Sequence, residues 1–101
     1  MSGVLARYVK APAERKRYQI RYDNWLDTGE GVVSVVFSVD RVTTPPLVVD
    51  GVQVTGDALG AQYYVSGGVD GTDYEVTATL TTTLGPQIKT DAIFFSIREP
   101  A

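Results

Sequence analysis

The chain has 101 residues, a net charge of −3, 44% hydrophobic and 21% charged residues, and neither cysteine nor histidine. That length gives room for one core and is long enough to fold without covalent staples. The missing residue types exclude a disulfide framework, thiolate metal sites and the commonest general base.

Val4 to Val9 reads as a first strand, ended by Ala11-Pro12-Ala13. Residues 1–12 form either an N-terminal arm or an edge strand of a single domain spanning 1–101. Arg15 to Tyr22 is a second strand, with Tyr18, Ile20 and Tyr22 on one face and Arg17, Gln19 and Arg21 on the other. Asp23 to Gly31 breaks the alternation as a turn or a short 3₁₀ segment, anchored by Trp25 and Leu26. Val32 to Val39 is a third strand, with Val33, Val35, Phe37 and Val39 inward and Ser34 and Ser38 outward. Thr43-Thr44-Pro45-Pro46 cannot sit in a central strand and is a connection. Leu47 to Thr55 is a strand or a short hairpin about Asp50-Gly51.

Gln62 to Ser66 is a fifth element, in which one of the adjacent Tyr63 and Tyr64 must face outward. Ser66 to Asp73 is a glycine-rich corner. Tyr74 to Thr82 is a long strand with Tyr74, Val76, Ala78 and Leu80 on one side. Leu84 to Gln87 turns the chain, and Ile88 to Arg98 is the last strand, with Ile93, Phe95 and Ile97 on the core face. About seven short strands separated by regular turn signals predict an all-β, immunoglobulin-like sandwich. In such a fold Tyr74 takes the place of the tyrosine corner, and Val76 that of the second disulfide cysteine.

Charge is unevenly placed. Residues 1–22 carry Arg7, Lys10, Arg15, Lys16, Arg17 and Arg21 against Glu14, a balance of +5, and the remaining residues sum to −8. The stripe is either a solvated face or a docking surface for an acidic neighbour or another copy. The candidate partner-binding residues are Arg7, Lys10, Arg15, Lys16 and Arg17. The acidic balance and the lack of aromatic–basic interleaving outside Arg15-Lys16-Arg17-Tyr18 argue against nucleic acid. No run approaches the length of a membrane helix, and no apolar leader precedes the first strand, so no membrane partner is expected. Asp70 and Asp73 lack the ligand density of a calcium site. Gly67-Gly68-x-x-Gly71 lacks the lysine and following helix of a phosphate loop. No catalytic, metal or cofactor residue is assigned.

The order of motifs along the chain resembles the phage fibre–tail adaptor family, short immunoglobulin-like proteins of tailed-phage structural modules. The likeness runs from Lys10 to Glu99. It comprises Lys10-Ala11-Pro12, Trp25-Leu26 with Gly29-Glu30, and the alternating Val/Ser strand. It continues through Val65-Ser66-Gly67-Gly68, Gly71-Thr72-x-Tyr74, the threonine-rich run Thr77 to Thr83, and a final apolar strand. The resemblance implies a non-catalytic virion protein, assembled in the host cytoplasm. It would join tail or neck to fibre proteins, in several copies around a symmetric assembly. Two alternatives are a capsid decoration or head-completion protein and, from another class, a carbohydrate-binding module stacking sugars on Tyr63, Tyr64 or Trp25. Trp25 is expected to plug one end of the sandwich, with Leu26 and Tyr74 as further structural residues.

Overall fold

The computed structural model describes residues 3–83 and 87–99. Seven strands follow one another: β1 (Gly3–Lys10), β2 (Lys16–Arg21), β3 (Val32–Val39), β4 (Leu47–Val54), β5 (Gly60–Gly67), β6 (Asp73–Thr82) and β7 (Ile88–Ile97). They form a four-stranded sheet in the order β1-β7-β6-β3 and a three-stranded sheet in the order β2-β5-β4. This all-β sandwich has the strand exchange of the immunoglobulin fold: consecutive strands repeatedly change sheets, and the first strand joins the last in parallel. β1 is an edge strand of the chain's own sheet.

Period-two patterning sets the packing. On β6, Tyr74, Val76, Ala78, Leu80 and Thr82 are all buried. The first four face Tyr18, Ile20, Ala61, Tyr63 and Val65 of the other sheet within one apolar cluster. Tyrosines bridge the two layers. The Tyr8 and Tyr18 rings lie 4.5 Å apart, and Tyr18 meets Phe95 edge-on at 5.2 Å. Phe37 lies 4.5 Å from Tyr63. Of the adjacent pair, Tyr63 points inward and Tyr64 outward.

The hydroxyls of Tyr18, Tyr22 and Tyr63 are buried without a protein hydrogen-bond partner among the described residues. Burial raises the pKa of all three above the ordinary phenol value; the Asp91 carboxylate adds to the effect at Tyr22. A raised pKa means that the unfolded chain ionises first, so stability is complete below about pH 10 and falls above it. Lys10 works in the opposite sense, because burial lowers its pKa and the fold gains as it neutralises. Three groups against one predict a net loss. The melting temperature should fall as the pH rises above about 10, and the fall should be shallower in Tyr22→Phe and Tyr63→Phe. A flat profile would refute the assignment.

One sequence expectation is corrected, and two that named alternatives are resolved. Val33 is 53% exposed, whereas Val32 and Val35 are buried. A register shift between Val32 and Ser34 adds a residue to β3 and reverses the face at its start. Residues 47–54 make one strand, not a hairpin, and Asp50-Gly51 falls where its pairing to β5 breaks, between Asp50 and Gln53. The segment after β2 contains no 3₁₀ helix. It is a turn in which the Trp25 and Leu26 amides both donate to the Tyr22 carbonyl, at 2.9 and 3.0 Å. Of the expected turn at 84–87, residues 84–86 lie outside the described ones. The adjoining Thr82 and Gln87 close the β6–β7 hairpin, with the Gln87 amide donating to Thr82 Oγ1 at 2.8 Å.

The tyrosine corner is present. The Tyr74 hydroxyl accepts the Val69 amide at 3.0 Å and shares a 2.7 Å hydrogen bond with Thr43 Oγ1. It thereby ties the glycine-rich corner to the connection before β4, while the ring is fully buried.

Candidate functional site

The sandwich has four edge strands: β1 and β3 bound one sheet, β2 and β4 the other. β1 and β2 lie along the same side, where Tyr8 of one meets Tyr18 of the other. Between them runs a groove of about 140 Å³, lined by Ala6, Tyr8, Gln19, Ile20, Arg21 and Ile93. The charged residues of the first 22 positions sit around this side, and each has a distinct environment.

Arg7 is exposed on the outer face of β1, with its guanidinium 4.5 Å from the centre of the Phe94 ring. Arg15 stacks over Tyr64 at 4.1 Å and pairs with Asp50 at 3.0 Å, bridging β2 and β4 across β5. Arg21 holds two carboxylates, Asp23 at 2.8 Å and Asp57 at 2.7 Å. Its hydrogen bonds hold both carboxyls below the usual carboxylate range, and all three groups are exposed to solvent. Lys16 and Arg17 are exposed on β2. Among the described residues, Arg7, Lys16 and Arg17 form no ion pair.

Lys10 is not part of this surface. Only 1% of it is exposed. Lys10 shares its face of β1 with Ala6 and Tyr8, so its stem runs inward, and its ammonium stays covered at the sandwich end. There it donates to the carbonyls of Ala11 at 2.6 Å and Glu14 at 2.8 Å. It closes the turn between β1 and β2, a structural task. Its parity with Tyr8 was the available sequence signal.

Trp25 also departs from expectation. It is 36% exposed, beside the sandwich end rather than plugged into it, with the Lys89 ammonium 5.8 Å from its ring centre. Because both Trp25 and Leu26 donate to Tyr22, the chain curls back and only the shorter Leu26 reaches the core. A cavity of about 200 Å³ lies beside Trp25, lined by Arg21, Tyr22, Asp23, Asn24 and Lys89. The face of Tyr64 that a sugar would need is covered by Arg15, and Tyr63 is fully buried.

No group of three or more potential metal-ligating side chains occurs among the described residues. Asp70 and Asp73 serve the fold. Asp70 accepts the Glu99 amide at 2.8 Å, and Asp73 pairs with Arg98 at 2.9 Å. No helix is long and apolar enough to cross a membrane among the described residues. What this side of the molecule offers is an exposed sheet edge, a shallow apolar groove and three cations without an ion-pair partner among the described residues.

The family described as podophage GP4 fiber-tail adaptor protein gp77 matches residues 10–96, most of the chain. No curated protein and no solved structure matches.

Proposed function

The chain belongs to the podophage GP4 fibre–tail adaptor family, and on that premise we propose that it is a non-catalytic joint of the virion. It links tail or neck to fibre proteins by protein–protein contact, with several copies arranged around a symmetric tail and assembled in the host cytoplasm. The match over residues 10–96 carries this reading. The β1–β2 side supports it, because unpaired cations on sheet edges suit protein docking.

The docking residues are Arg7, Lys16 and Arg17, with Arg15 in support through its hold on Asp50 and Tyr64. Exposed charges mainly steer encounter and reject wrong partners, so their reversal acts strongly on assembly and weakly on folding. Particles carrying Lys16→Glu and Arg17→Glu should show fibre occupancy reduced by about tenfold or more, the equivalent of about 1.4 kcal/mol of lost contact. The isolated domain should melt within a few degrees of wild type. Full occupancy, counted by electron microscopy, would remove these residues from the docking surface.

A further inference from the structure

We propose that β2 is the edge to which a partner adds a strand, and that the added strand is an acidic, extended segment of another virion protein. This rests on the adaptor reading and specifies the chemistry of its contact.

The four edges are not equivalent. Pairing is interrupted in β1 between Val4 and Ala6, in β3 between Val32 and Ser34, and in β4 between Asp50 and Gln53. Such irregularities bend a strand and spoil its outer row of hydrogen-bonding groups. β2 alone pairs without interruption, from Lys16 opposite Val65 to Arg21 opposite Gly60. The Tyr22 amide donates to the Leu59 carbonyl on the β5 side. By antiparallel alternation, the backbone groups of Ile20 and Tyr18 also face β5, and those of Arg17, Gln19 and Arg21 face the open edge. Three consecutive hydrogen-bonding positions are therefore presented to solvent in register.

The side chains select the occupant. A strand added to β2 would place alternate residues over the groove formed by Ala6, Tyr8, Ile20 and Ile93, and these should be apolar. Its other residues would lie on the outer face, level with Arg17, whereas Lys16, on the same face as Tyr18 and Ile20, is exposed at the strand end. Both cations lack a carboxylate among the described residues. Acidic residues at those positions complete the charge balance, whereas a basic strand is repelled. Arg21, already holding Asp23 and Asp57, adds no demand.

The chain has no cysteine, so Gln19→Cys carries the sole thiol at the middle of the edge. In assembled particles, a short thiol-anchored photo-cross-linker at position 19 should join the protein to a segment of a second virion protein in which apolar and acidic residues alternate. Val36→Cys, exposed on β3, is the matched control and should give at least about tenfold less of that product. A product between two copies of this chain, a segment without acidic residues, or no product at position 19 would each overturn the proposal. Gln19→Pro removes one outward-facing amide, a change an edge strand tolerates, and should lower fibre occupancy about tenfold. If this variant does not fold, the cross-linking result alone decides. Particles lacking the protein separate the two levels. Fibres retained there refute the adaptor role; fibres lost there but kept with Gln19→Pro refute only the β2 edge.

Discussion

Tyr74→Phe should cost about 1–3 kcal/mol of stability, because it strips the only partner of the Val69 amide among the described residues and one of two partners of Thr43 Oγ1, which keeps the Pro45 carbonyl. The Val69 amide and Thr43 Oγ1 meet at that oxygen, at 3.0 and 2.7 Å. They belong to the corner before β6 and to the connection before β4, so the hydroxyl holds together segments that the chain separates. Tyr74→Ala removes a fully buried ring as well and should cost about 3–5 kcal/mol. For a domain of this size the phenylalanine variant should melt about 4–8 °C lower per kcal/mol lost. Urea unfolding of both variants checks the ordering. A phenylalanine variant as stable as wild type would show that the hydroxyl clamps nothing.

The second large effect lies four residues after Tyr63, at the end of β5. Gly67 has φ +74°, and a β-carbon there would lie 2.4 Å from the Pro46 carbonyl oxygen. Gly67→Ala therefore suffers twice. The left-handed backbone costs about 1–2 kcal/mol for an L-residue, and the backbone clash adds about 1–3 kcal/mol more. Gly29 separates the two contributions, because its φ of +82° is similar and nothing lies within 4 Å of its would-be β-carbon. Gly29→Ala should thus lose about 1–2 kcal/mol. Equal losses at the two positions would mean that the Pro46 contact yields without cost. Thermal melts of the pair are sufficient.

Strand positions were legible wherever alternation ran undisturbed, as on β2, β6 and β7. There each buried residue sits at the parity its neighbours demand, except Ala92, which is buried between Asp91 and Ile93 on β7. Legibility failed where one residue was inserted. The extra residue in β3 put Val32 rather than Val33 in the core, and in a run of Val-Val-Ser-Val-Val neither choice is marked by side-chain chemistry. Trp25 misled through its size. A tryptophan offers more apolar area than a leucine, but the turn that closes on Tyr22 aims Leu26 at the core and leaves Trp25 beside Lys89.

At the candidate site, the cluster of cations was visible in the sequence but its internal division was not. Which cations find carboxylates depends on Asp50 and Asp57, brought alongside by β4 and the turn after it. Lys10 was readable in principle, since inward parity at a strand end turns a lysine into a cap for nearby carbonyls. The regularity of β2 against the other three edges has no sequence signature, because bulges in the other edges are made by pairing.

The parallel union of β1 with β7 bears on mechanics. Gly3 lies beside Asp91 and Lys10 beside Ile97, so the chain enters β1 at one end of the shared ladder and leaves β7 at the other. Tension between these two points runs lengthwise along both strands in opposite directions. It loads the rungs between them together, in shear, instead of peeling them one after another. A domain tethered through those two points resists being drawn out by the combined strength of a whole ladder.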